Sequence, residues 1–196
     1  MKLTTAEAVR VAMMVKLAGS LLTSADATKL KFKPLTADQA QPLGVPCVAP
    51  GFQIPYFNLD GKPTAFWRLR YLEDTRKGFD ILSGRKPLRY VQPSGGVNEV
   101  YLAPLIDWRR IATDTNAPIT ITEGELKAAC ATKVDIPTIG LGGVYSFKSN
   151  KAGVSLLPML REFTWTKRKV IICFDSDAVT NPMVVMAENQ LAKVLS

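Results

Sequence analysis

The hydrophobic pattern changes rhythm along the chain. Near the start, Val9, Met13, Lys16 and Leu17 recur at helical spacing, and Thr4-x-x-Glu7 has the form of a capping box. A helix is therefore expected over residues 5–22. Residues 33–51 hold Pro34, Pro42, Gly44, Pro46, Pro50 and Gly51, and read as a loop or linker. Phe52 to Leu59 is apolar, Asp60-Gly61 is a hairpin signal, and Thr64 to Tyr71 alternates. On that second strand Ala65, Trp67, Leu69 and Tyr71 share one face, and Phe66, Arg68 and Arg70 share the other. Leu88 to Gln92 is a further strand candidate.

After Pro118 strands alternate with helices. The strands are Ile119 to Thr122, Ile136 to Leu141 and Lys169 to Phe174. The helices are Glu125 to Thr132, Leu156 to Phe163 and Pro182 to Leu195, the last with Pro at its first turn. This order implies an α/β fold with a mostly parallel sheet and flanking helices. The sheet is expected to end after three strands, and the almost wholly apolar third to lie at its centre. Three segments follow: residues 1–50 as N-terminal helix and linker, 51–115 as a smaller basic β-rich subdomain, and 116–196 as the α/β domain.

Composition narrows the chemistry. The 196 residues include 47% hydrophobic and 21% charged positions, which is globular. No apolar run approaches the roughly 20 residues of a membrane span, and Glu7, Arg10 and Lys16 interrupt the signal-like stretch near the N-terminus, so the helix over residues 5–22 is expected to belong to a cytoplasmic protein. Cys47, Cys130 and Cys173 show no CxxC spacing, against a disulfide framework or zinc ribbon, and Cys130 and Cys173 read as small buried residues. Histidine is absent, which removes Ser-His-Asp and Cys-His catalysis. Lys and Arg number 25 against 17 Asp and Glu, a net charge of +8. Much of that surplus lies between Lys62 and Arg110, and a basic surface of this kind suits a polyanion such as nucleic acid.

Ligands of parallel sheets sit beyond the carboxyl ends of the strands. Glu123 stands at one such end, and Asp175 and Asp177 at another. Singly, each reads as a cap or turn residue. If their strands are neighbours, three acids converge, and clustered carboxylates call for a cation. Oxygen-only donors suit Mg²⁺ or Mn²⁺, which commonly partner phosphates. Gly140-Leu141-Gly142-Gly143 resembles a phosphate loop only faintly, because the Lys-Ser/Thr of a P-loop is missing.

Three motifs in fixed order carry a resemblance: Ile121-Thr122-Glu123-Gly124, then Ile139-Gly140-Leu141-Gly142-Gly143, then Ile171-Ile172-Cys173-Phe174-Asp175-Ser176-Asp177. Residues 119–195 are similar to a TOPRIM domain, the metal-binding fold of DnaG-type primases, topoisomerases and some nucleases. Upstream, Phe52 to Phe57, Asp60-Gly61, Phe66 to Arg70, Lys86 to Tyr90 and Val100 to Leu102 resemble the earlier parts of the DnaG-type core. The tail Phe174 to Ala178 with Thr180-Asn181-Pro182 is similar to primase-like TOPRIM proteins of phages, plasmids and mobile elements.

The resemblance implies Glu123 as catalytic acid, and Glu123, Asp175 and Asp177 as ligands of Mg²⁺ or Mn²⁺. It implies Arg68, Arg70, Lys86, Arg89 and Tyr90 as contacts to nucleic acid or nucleotide, and the cation Lys127 is a further candidate for such a contact. The expected activity is metal-dependent nucleotidyl transfer, making primers on single-stranded DNA from nucleoside triphosphates. A replicative helicase is a further candidate partner. The alternatives are a TOPRIM nuclease and a non-catalytic DNA-binding replication adaptor. The chain departs from the family at Lys127, where DnaG-type enzymes carry Asp, and it is expected to be a piece of a longer replication protein.

Overall fold

The computed structural model of the protein describes residues 3–75, 87–92, 97–149, 153–175 and 181–196. The chain forms two compact units. One comprises Met1–Pro55 and Phe66–Gly96, the other Tyr56–Ala65 and Val97–Ser196.

In the first unit, α1 (Ala6–Ala18) buries Val9, Met13 and Leu17, the stripe expected from their spacing. Its cap is Thr5, not Thr4: the Thr5 hydroxyl accepts from the Ala8 amide at 3.2 Å. Glu7 makes no capping box and instead pairs with Arg10. The helix stops at Gly19, and a second, α2 (Ser24–Lys29), opens on a true capping box between Thr23 and Asp26. The region read as linker is partly ordered by the same device. It holds β1 (Lys33–Leu35), then α3 (Ala37–Ala40), capped reciprocally by Thr36 and Gln39, then a tight turn over Gln41–Leu43. Gly44 ends that turn in the left-handed region and Gly51 opens the next strand, whereas Pro34 and Pro42 lie within the short elements themselves.

The antiparallel sheet of this unit runs β1-β2-β3-β4, with β2 (Gly51–Phe57), β3 (Pro63–Tyr71) and β4 (Tyr90–Val91). Leu69 and Tyr71 point into a small core with Leu35, Ala40 and Ala49, and Trp67 packs against it. Phe66, of opposite parity, is also buried.

The second unit holds a mixed sheet in the order β5-β7-β6-β8: β5 (Tyr101–Leu102), β6 (Ile119–Glu123), β7 (Thr138–Leu141) and β8 (Val170–Cys173). β6 pairs in parallel with both β7 and β8, while β5 pairs antiparallel with β7. Around them lie α4 (Trp108–Thr113), α5 (Glu125–Thr132), α6 (Pro158–Arg161) and α7 (Pro182–Leu195). Two expectations are corrected. The sheet has a fourth strand, β5, and among the described residues β8 lies at its edge, not its centre. Val170 and Ile172 pack against the core, but Ile171 is 43% exposed and Cys173 is also exposed. The apolar run thus covers one face only, and Cys173 is not a buried residue; Cys130 is half-buried.

The core of this unit gathers Trp108, Ile119, Ile121, Ile139, Leu141, Phe147, Leu160 and Leu191. The Trp108 indole donates to the Ala103 carbonyl at 2.7 Å and meets Phe163 edge-on. Gly140 is a packing residue, not part of a phosphate loop. A Cβ there would lie 3.0 Å from the Ala128 Cβ and 3.2 Å from both the Tyr101 Cβ and the Gly124 carbonyl. Its bareness lets α5 sit close on the sheet. Gly140→Val is expected to cost about 1–3 kcal/mol by overpacking. Urea unfolding measures this as a lower midpoint at unchanged slope, and a loss under about 0.5 kcal/mol would reject the packing role. Among the described residues, no helix is long and apolar enough to cross a membrane.

Candidate active site

The acidic edge belongs to the second unit. β6 ends at Glu123, half-buried, level with Leu141 of β7. The β6–β8 register pairs Thr122 with Cys173, so one step further sets Glu123 beside Phe174, with Asp175 next along that segment. Phe174 is buried and anchors the end of β8, whereas Asp175 is exposed. Glu123 and Asp175 therefore stand at the carboxyl ends of adjacent parallel strands, as their positions in the sequence required.

The turn that aims Glu123 depends on Gly124. Its φ of 97° and ψ of 142° lie where only glycine is comfortable. Its amide donates to the Leu141 carbonyl at 2.8 Å, extending the parallel ladder one residue past the strand. Then α5 begins at Glu125, which is completely buried. Its Oε1 accepts from the Tyr56 hydroxyl at 2.7 Å. Tyr101 meets Tyr56 edge-on with centroids 5.3 Å apart. Burial, and then the Glu125 charge, push the Tyr101 phenol well above its ordinary pKa. Glu125 is thus a buried acid under the turn. Its sequence signal was an acid at the first helical position, where the helix dipole favours it.

Lys127 lies within the first turn and a half of α5, and its ammonium donates to Asp175 Oδ1. The sequence offers Lys127 as a candidate contact to nucleic acid or nucleotide; in the structure it pairs with one of the two acids of this edge. Asp177 lies outside the described residues, as does Lys86. Among the described residues, no group of three or more acidic or Cys side chains is disposed to hold a metal. The donors that are brought to this edge, Glu123 and Asp175, are carboxylate oxygens, which suit a hard divalent cation.

The basic face belongs to the first unit. Arg68 and Arg70 project from the same side of β3, and Tyr90 lies opposite Arg70 on β4. Their guanidinium carbons sit 4.6 and 4.5 Å from the Tyr90 ring centroid. Both are half-buried, and Arg70 Nε is a buried donor with no hydrogen bond among the described residues. Arg89, just before β4, is exposed. Lys16 of α1 joins this group. Lost hydration, then the charges of Arg70 and Arg89, lower its pKa. Among the described residues no carboxylate pairs with Lys16, Arg70 or Arg89. Like charges held together without counter-charge repel, and a bound polyanion relieves this. Sequence reasoning missed Lys16; its signal was a cation set in the apolar stripe of α1. A cavity of about 390 Å³ in the same unit carries Asp38, Glu73 and Asp74 in its lining, charges that repel phosphate.

Comparison with known proteins gives three results. A family model described as "Domain of unknown function (DUF3854)" matches residues 107–196. Comparison with the curated proteins finds no match. Among solved structures, the RNA polymerase domain of Mycobacterium tuberculosis primase DnaG, in complex with double-stranded DNA, matches with a TM-score of 0.57 and 13% identity over 94% of this chain and 62% of that one. A DnaG catalytic core matches with a TM-score of 0.55 and 11% identity over 91% of this chain and 59% of that one. The E. coli primase catalytic core matches with a TM-score of 0.51 and 12% identity over 87% of this chain and 57% of that one. The chain spans about three fifths of the length of these structures. At such identities the likeness is one of fold, and the fold of this chain resembles that of DnaG primase catalytic cores.

Proposed function

We propose that this chain is a primase-like catalytic core of the TOPRIM type, joining nucleotides into primers on single-stranded DNA in the replication of a phage, plasmid or mobile element. The observation that carries the reading is the pair Glu123 and Asp175 at the carboxyl ends of adjacent parallel strands, within a fold that resembles DnaG cores. Glu123, Asp175 and Asp177 would hold Mg²⁺ or Mn²⁺, which would polarise a phosphoryl oxygen and offset charge on the leaving pyrophosphate. Lys16, Arg68, Arg70, Arg89 and Tyr90 would grip the phosphates of the strand, with Lys86 added from the sequence. The test is primer synthesis on a single-stranded template with nucleoside triphosphates and Mg²⁺ or Mn²⁺. Glu123→Gln and Asp175→Asn are each expected to slow it on the order of a hundredfold. Undiminished synthesis in both variants removes the assignment.

The Lys127–Asp175 pair favours a second reading, a DNA-binding replication adaptor whose acids no longer hold metal. Calorimetric titration separates the two. Salt-sensitive DNA binding without any uptake of Mg²⁺ or Mn²⁺ selects the adaptor.

A further inference from the structure

The acidic edge contains a cation of its own. Lys127 extends from α5 and its ammonium rests on Asp175 Oδ1, while Glu123 stands one strand away. Both partners of the pair are about half exposed, at 52% and 50%. Neither is locked by packing, and a lysine stem is flexible enough to swing its ammonium aside. The pair is therefore an exposed, exchangeable contact. It also changes the charge that an incoming metal meets. Two carboxylates alone would present −2 to a divalent ion; with Lys127 in place they present −1, and Asp175 already has a partner.

We propose that Lys127 is a resident counter-cation of Asp175 that competes with a divalent metal for this carboxylate, so that metal loads only as the ammonium is displaced. The proposal rests on the reading of Asp175 as a metal ligand. It deepens that reading by making metal occupancy conditional. An incoming triphosphate supplies both a rival anion for the ammonium and further oxygens for the metal, so metal and nucleotide load together.

The experiment uses the full chain and Mn²⁺ as the probe, with free Mn²⁺ read by electron paramagnetic resonance at low salt. A unit positive charge about 4 Å from a divalent ion, even at the dielectric of water, is worth about tenfold in affinity or more. Lys127→Met and Lys127→Gln are therefore both expected to bind Mn²⁺ about tenfold more tightly than the unsubstituted chain, and Lys127→Arg close to it. The gain should shrink as salt screens the ammonium. Asp175→Asn should abolish the binding. If Asp175→Asn abolishes it but both neutral variants bind no more tightly, competition by Lys127 is refuted and the metal reading stands. If the unsubstituted chain and both neutral variants take up no Mn²⁺, or Asp175→Asn leaves uptake intact, the metal reading fails and the proposal fails with it.

Discussion

Arg168→Ala is expected to destabilise the protein by about 3 kcal/mol. Arg168 is 8% exposed and lies between two exposed lysines, Lys167 and Lys169. Its guanidinium donates to three backbone carbonyls: Thr164 at 2.8 Å, Ala117 at 3.1 Å and Ala112 at 3.0 Å. These bonds tie the end of α4, the loop before β6 and the turn before β8 into one block. Burial lowers the arginine pKa, but a guanidinium remains charged at any ordinary pH, so all three bonds are charge-assisted. Truncation removes the donors and leaves buried carbonyl capacity unmet. Lysine cannot present a planar fork, so Arg168→Lys should recover only part of the loss. Urea unfolding of the three proteins decides the matter, and a loss below about 1 kcal/mol in Arg168→Ala would show that the bonds are replaced by water.

The second large effect is on DNA. Replacing Lys16, Arg70 and Arg89 together by Met, Gln and Gln is expected to weaken single-stranded DNA binding about a hundredfold at low salt. The slope of log affinity against log salt should fall by about 2, since each lost phosphate contact on a single strand removes roughly 0.7. Lys16 adds a pH signature. Its pKa is lowered, so as pH rises it loses its proton before an ordinary lysine does, and its phosphate contact goes with it. Binding by the unsubstituted chain should therefore begin to weaken at a lower alkaline pH than binding by Lys16→Met. Fluorescence anisotropy across salt and pH measures both. An unaltered salt slope in the triple variant would move the nucleic-acid interface away from β3 and β4.

Several elements are legible in the sequence. α5 and α7 have the expected limits, because an acid or proline at the first turn and periodic apolar positions act locally. The hairpin of β2 and β3 was marked by Asp60-Gly61 between two apolar runs, and both strands lie within a residue or two of expectation. Other features left no local trace. β5 is two residues long, too short for periodicity, and exists because β7 offers it an edge. The apolar run of β8 is the same whether neighbours flank one side or both, so its edge position was hidden. Glu125 and Arg168 look like surface residues in one dimension, and both are buried by distant partners.

At the site the same division holds. Strand periodicity and the placement of acids just after strands set Glu123 and Asp175 at carboxyl ends, because side-chain direction and strand ends are short-range properties of the backbone. Their adjacency required β6 and β8 to pair in parallel, which depends on hydrogen bonds between segments some 50 residues apart. The contact of Lys127 with Asp175, 48 residues away, likewise follows from that pairing and from how α5 is set on the sheet. Local chemistry can name an acid and a cation, but their joint charge depends on the distance between them, and that distance is fixed only when the chain folds.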